Sequence, residues 1–139
     1  MRPLACPVAH EETDVDHQTF IDSVAQRAGV SQDVAETLAR VTLEVLADRI
    51  AGGEARDLLA QLPKPLKDEV LIKGEEAEAF DVPEFVRRVA ARAHVDEQTA
   101  HDGAVAVLIT VREAVTPGEF DDITSQLPQE YRELVGPIP

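Results

Sequence analysis

Gly53-Glu54-Ala55-Arg56-Asp57-Leu58-Leu59-Ala60-Gln61-Leu62-Pro63 returns 65 positions later as Gly118-Glu119-Phe120-Asp121-Asp122-Ile123-Thr124-Ser125-Gln126-Leu127-Pro128. Gly, Glu, Asp, Gln, Leu and Pro recur in register. The correspondence runs upstream without a gap through Phe20/Phe85, Val24/Val89, Ala25/Ala90, Arg27/Arg92, Ala28/Ala93, Val30/Val95, Ala35/Ala100, Ala39/Ala104 and Leu43/Leu108, and downstream to Val70/Val135. Self-similarity at one fixed offset marks a structural unit used twice.

Periodicity says what that unit is. Phe20, Val24, Ala25 and Ala28 share one face at helical spacing, with Asp16 as the expected N-cap and Gly29 as the stop. Ser31 caps a second helix to about Ala51, which buries Val34, Leu38, Val41, Val45, Leu46 and Ile50. Its opposite face, Glu36, Arg40, Glu44 and Asp48, reads as a solvated stripe. Gly52-Gly53 is expected to end that helix. Glu54 then opens a short helix stopped by Pro63 and Pro65, and Leu66 and Val70 imply a further turn or two. In the second unit Pro83 suits a first helical turn, Asp96 caps the long helix, and Thr116-Pro117-Gly118 is the turn before the short one. No alternating run bounded by hairpin turns occurs, so the expected fold is all-α. It comprises two tandem three-to-four-helix units packed as one bundle, related by a pseudo-twofold axis or stacked. The expected organisation is a flexible leader (1–15), unit one (16–71), an acidic connector (72–81) that Phe80 and Val82 tuck onto the second unit, unit two (82–135) and a tail (136–139).

Composition narrows the function classes. An apolar fraction of 44% supports a core for 139 residues, and four Phe, one Tyr and no Trp make that core aliphatic. With 27 acidic against 13 basic residues the net charge is −14, which repels nucleic-acid phosphates and anionic lipid. One cysteine makes no internal disulfide, and the longest near-apolar run, Ala104 to Val111, is too short to span a bilayer. The expectation is a cytoplasmic protein without a nucleic-acid or membrane partner.

Differences between the copies point to candidate surfaces. The stripe Glu36, Arg40, Glu44, Asp48 becomes His101, Val105, Ile109, Glu113 in the second unit. The helix over 97–115 is therefore apolar nearly all round, so it is either buried on every side or covers something. In the first case it sits centrally in the bundle. In the second, Val105 and Ile109, with His101 beside them, form a self-association or protein-partner surface, and burying both contributes about 3–5 kcal/mol gross. Several recurring residues have structural explanations. Arg27 and Arg92 would pair with carboxylates of their own units. Glu54 and Glu119, following Gly53 and Gly118, would favour the positive end of a helix. Gln61 and Gln126, ahead of Pro63 and Pro128, would bond carbonyls the prolines free.

Two resemblances accompany this reading. Phe-x3-Val-Ala-x-Arg-Ala from Phe20, the 53–63 stretch, and Gln126-Leu127-Pro128-Gln129-Glu130-Tyr131-Arg132-Glu133-Leu134 resemble the bacterial family called domain of unknown function 2267, over residues 17–135. That resemblance implies a small tandem-unit helical protein and brings no assigned chemistry. Residues 19–54 are similar to the helical hairpin of the histone-like HU proteins, which forms a dimer core while basic β-arms hold DNA. This chain has no β-arm sequence after Gly53, and its charge is of the opposite sign.

Chemistry is sparse. Cys6, His10 and His17 offer two or three soft ligands without a fourth partner, and His94 and His101 are a bare pair, so no metal or cofactor is expected. No nucleophile-base set or phosphate-cradling loop appears. The leading expectation is a non-enzymatic protein-interaction or regulatory module. The alternatives are an acidic mimic that binds a basic, nucleic-acid-binding protein, and a weak metal- or small-ligand-binding protein.

Overall fold

Side-chain caps fix where most of the helices begin. Val34 donates its amide to Ser31 Oγ at 3.3 Å, Glu84 to Asp81 Oδ1 at 3.0 Å, Thr99 to Asp96 Oδ1 at 2.7 Å and Glu119 to Thr116 Oγ1 at 3.2 Å. Each bond satisfies a donor that the first helical turn leaves without a partner. A computed structural model of the protein describes residues 9–70, 76–125, 127 and 129–131, with the main chain alone at 9–16 and 67. Its helices are α1 (Ala9–Ala28), α2 (Gln32–Arg49), α3 (Gly52–Ala60), α4 (Lys64–Glu69), α5 (Val82–Ala93), α6 (Glu97–Ala114) and α7 (Pro117–Thr124). Residues 129–131 are helical too, and no strand occurs among the described residues. The fold is all-α. No helix among the described residues is long and apolar enough to cross a membrane.

Two boundaries differ from the sequence expectation. α1 begins at Ala9 and places Asp16 in its interior. Residues 9–16 contain neither glycine nor proline, so nothing in them interrupts the helix. α2 ends at Arg49 with Ile50 extended, and Gly52 and Gly53 form the first turn of α3 instead of closing α2. Gly53 and Gly118 are exposed near the starts of α3 and α7, and a Cβ on either would meet nothing within 4 Å, so their recurrence has no steric cause.

The first helix of each unit ends in the left-handed region. Gly29 has φ of +71°, and its amide and that of Val30 both return to the Ala25 carbonyl, at 2.8 and 3.0 Å. The same place in the second unit is His94, with φ of 60°, followed by Val95 donating to the Ala90 carbonyl. A side chain with a Cβ is strained there. His94→Gly is accordingly expected to raise unfolding stability by about 0.5–1 kcal/mol, read from the urea midpoint.

The buried apolar residues among those described form one cluster, including Phe20, Ile21, Leu38, Leu46, Ile50, Phe85, Val89 and Val107. α1 packs against α2 and also crosses to α6, while α5 packs against α6 and crosses to α2. α2 meets α6, and α3 meets α7. The recurring arginines follow this exchange. Arg27 Nη2 donates to Glu113 Oε1 and Oε2 at 2.9 and 2.7 Å, with Nη1 on Thr110 Oγ1 at 2.9 Å. Arg92 Nη2 donates to Asp48 Oδ2 at 2.9 Å. Both pairs cross between units, contrary to the expected pairing within each, because each first helix lies along the other unit's second helix. The stripe on α2 is accordingly solvated only at Glu36. Arg40 and Glu44 are half-buried in an ion pair of 3.7 Å, and the Asp48 side chain is 9% exposed beneath α5.

Gly103 lies where α6 packs on the Leu38 side chain of α2. A Cβ on it would lie 2.7 Å from Leu38 Cδ1. Position 38 is the counterpart of 103 at the repeat offset, so equivalent positions face each other, one filled by leucine and the other emptied to glycine.

Candidate functional site

α6 is not buried on every side. Its inner face packs Ala104, Val107, Leu108 and Val111 into the core. Val105 and Ile109 are half-buried on the outer side, and His101 is exposed, with Nδ1 3.4 Å from Asp102 Oδ1. The three residues thus form a stripe that reaches the surface. His94 is exposed at the end of α5. Among the described residues no group of three or more His, Cys, Asp or Glu is placed to hold a metal. His17 is largely buried, with Nε2 4.0 Å from Glu36 and Nδ1 without a hydrogen-bond partner. Cys6, the His10 side chain, residues 72–75, Gln126, Pro128 and residues 132–139 lie outside the described residues.

A larger feature lies between α1, the turn joining α3 to α4, and the end of α6. It is a cleft of about 380 Å³. Phe20, Leu62, Pro63 and Ala114 supply its apolar lining; Thr19, Ser23, Gln61, Thr110 and Glu113 supply its polar groups. Gln61 Oε1 accepts the Thr116 amide at 2.9 Å, so it joins the two units at the rim instead of serving the carbonyls near Pro63. Thr110 Oγ1 donates to the Ala106 carbonyl at 2.7 Å while it accepts from Arg27.

The second unit shows why this cleft is open. At the repeat offset Ser23 becomes Arg88, Ala114 becomes Arg49, Phe20 becomes Phe85 and Glu113 becomes Asp48. There residues 78–80 lie against the counterparts of four lining residues, Phe85, Arg88, Arg49 and Asp48. Phe80 packs on Phe85 with ring centroids 6.3 Å apart, and the Arg88 guanidinium lies 4.0 Å from the centre of the Phe80 ring. The Phe80 carbonyl accepts from Arg49 Nε at 3.0 Å and from Tyr131 Oη at 2.6 Å. Glu78 donates its amide to the Asp48 carbonyl at 2.8 Å, and its carboxylate meets Arg88 Nη1 at 2.8 Å. Phe80 therefore packs onto the second unit as expected and is also gripped by Arg49 of the first. Burial pushes the Tyr131 hydroxyl above its usual titration range. Sequence reading missed the cleft, although Ser23/Arg88 and Ala114/Arg49 are plain small-for-large differences between the copies.

Glu54 and Glu119 sit in the first turns of α3 and α7, as the dipole argument requires, but those helices pack together. Each Oε2 is buried without a hydrogen-bond partner. Burial first, then Glu54, Asp57 and Asp122, push the Glu119 carboxyl above its ordinary value of 4.5. An acid raised in the folded state penalises stability fully above its folded pKa, and the penalty is relieved as pH falls towards the unfolded value. Glu119→Gln is expected to be more stable than wild type by about 0.5 kcal/mol at pH 7. That advantage should shrink in urea titrations repeated towards pH 4.5.

Comparison with curated proteins returns no match. The family model described as "Uncharacterized conserved protein (DUF2267)" matches residues 17–134, which span both copies of the repeat and every side chain that lines the cleft. The chain belongs to the DUF2267 family.

Proposed function

We propose that this chain is a non-enzymatic protein-interaction module built as an intramolecular pseudo-dimer of one duplicated helical unit. One observation carries the reading: the cleft beside Gln61 is open, while its counterpart in the second unit holds the segment Glu78-Ala79-Phe80 through main-chain, ring and charge contacts. The scaffold thus already seats a non-helical peptide segment once. The reciprocal pairs Arg27–Glu113 and Arg92–Asp48 support the pseudo-dimer, since a twofold relation places each residue of one half on the partner of its counterpart. The single cysteine supports a cytoplasmic setting, and the family resemblance a bacterial one.

The α6 stripe of His101, Val105 and Ile109 is the competing surface, so the experiment separates the two. Wild-type protein, Ser23→Arg/Ala114→Arg and Val105→Glu/Ile109→Glu are crosslinked in cells that make the protein, and bound proteins are identified by mass spectrometry. Loss of a partner only with the arginine pair places the interaction in the cleft. Loss only with the glutamate pair, with helicity retained, moves it to α6. A partner list unchanged by both variants, or empty for all three proteins, overturns the interaction reading.

A second reading rests on the acidic residues at α3 and α7, where Glu54, Asp57 and Asp122 lie near enough to add to the effect of burial in raising the Glu119 carboxyl. It makes the protein an acidic mimic for a basic, nucleic-acid-binding protein. Such a complex weakens with salt, and one that persists unchanged from low to high ionic strength counts against it.

A further inference from the structure

Resting on the cleft as an interaction site, we infer the chemistry of what it takes: a non-helical peptide segment of a partner protein that carries an aromatic residue two positions after a basic one. The occupied counterpart supplies the template. There the peptide presents an aromatic ring to Phe85, a carbonyl to Arg49 and Tyr131, and an amide to the Asp48 carbonyl near the end of α2. The acid Glu78, two positions before the ring, meets Arg88.

The open cleft keeps the apolar floor and a main-chain acceptor, while both donors to the Phe80 carbonyl are replaced, Arg49 by Ala114 and Tyr131 by Leu66. Phe20 replaces Phe85 as its floor, with Leu62 and Ala114 on its walls. The Glu113 carbonyl, in the last turn of α6, is among those that a helix leaves without an internal acceptor role, as the Asp48 carbonyl is in α2. Gln61 holds the Thr116 amide through Oε1, which turns its amide group to donor duty at the rim, where a peptide carbonyl replaces that of Phe80.

The charge reading is inverted. Arg88, which selects the acid of the bound segment, is Ser23 here, and Arg49 is Ala114. The charged groups that remain are the Glu113 carboxylate, half-exposed while it accepts Arg27, and Arg27 itself, already committed to Glu113 and Thr110. A carboxylate accepts more bonds than one guanidinium supplies, and the C-terminal end of a helix favours a cation. The net charge of −14 acts in the same direction. With Arg88 replaced by Ser23, the charge left for a bound segment to meet is Glu113, so this cleft reads a base where its counterpart reads an acid.

The test uses the full chain, labelled with ¹⁵N and titrated with capped heptapeptides. The parent copies residues 76–82, Glu-Ala-Glu-Ala-Phe-Asp-Val. The probe replaces each acid by lysine, giving Lys-Ala-Lys-Ala-Phe-Lys-Val, and a control probe replaces the phenylalanine by alanine. The lysine probe is expected to shift the amides of Ser23, Gln61, Thr110 and Glu113. It should bind about ten-fold more tightly than either the acidic parent or the alanine control, and lose that margin at high salt. Ser23→Arg/Ala114→Arg should abolish the shifts while leaving the rest of the spectrum in place. Equal binding of parent and lysine probe, shifts away from the cleft, or no shifts at all overturn the assigned peptide chemistry. If the arginine pair nevertheless removes a crosslinked partner from cells, the cleft remains the interaction site and only its ligand class is wrong.

Discussion

Leu38→Ala is expected to lower the unfolding free energy by about 2–5 kcal/mol, because Leu38 is fully buried and the space it leaves faces a glycine. The more telling outcome concerns its counterpart. In the wild type, Gly103→Ala places a Cβ 2.7 Å from Leu38 Cδ1, and overpacking of this kind costs about 1–3 kcal/mol. Alanine also gains about 1 kcal/mol over glycine in a helix interior, so the net expectation is a loss of about 1 kcal/mol. With Leu38 already shortened, the clash disappears and the helical gain remains. Gly103→Ala should then stabilise the protein by about 1 kcal/mol. The sign reversal, measured by urea unfolding across the four proteins of the cycle, corresponds to a coupling of about 2 kcal/mol between positions equivalent by repeat. Additive effects would show that α2 and α6 do not meet at these two residues.

Arg49→Ala carries the second large effect. Arg49 is buried, donates Nε to the Phe80 carbonyl at 3.0 Å, and lies 5.4 Å from the Tyr131 ring centre and 5.9 Å from that of Phe80. Losing a hydrogen bond from a charged donor and two ring contacts is expected to cost about 2–4 kcal/mol. The loss should be local before it is global. The Glu78 amide, bonded to the Asp48 carbonyl, should exchange with solvent markedly faster, while core amides such as that of Val107 keep protection closer to the reduced global value. Uniform acceleration at both would mean that residues 78–80 are not a separate cooperative unit.

Much of the fold was legible because helices announce themselves through period and caps. Ser31 and Asp96 cap as read, and Leu38, Val41, Val45, Val89, Val107 and Val111 are buried as their spacing requires. What sequence did not give was pairing between elements. Arg27 and Arg92 are equally compatible with a carboxylate in their own unit or in the other, because local periodicity carries no information on which helix lies alongside. The Asp48 stripe failed for the same reason: a charged row on one helix looks solvated until another helix with an arginine covers it. The His101, Val105, Ile109 stripe was visible as a difference between copies. The cleft was visible in the same comparison, at Ser23 and Ala114, but a small residue leaves no apolar or charged signature to follow.

The crossing of α1 onto α6 also bears on how the chain reaches this state. Arg27 and Glu113 are 86 positions apart, and Arg92 and Asp48 are 44 apart. Closing such loops costs entropy that grows only slowly with length, about 0.6 kcal/mol per doubling, so the separations themselves are tolerable. Their effect is on order of events. Neither repeat can finish burying its own first helix until the other's second helix has arrived, so a half-folded molecule with one completed unit has little to hold it. The two repeats are built to fold and unfold together, at the slower rate that non-local pairing imposes on a helical protein of this size.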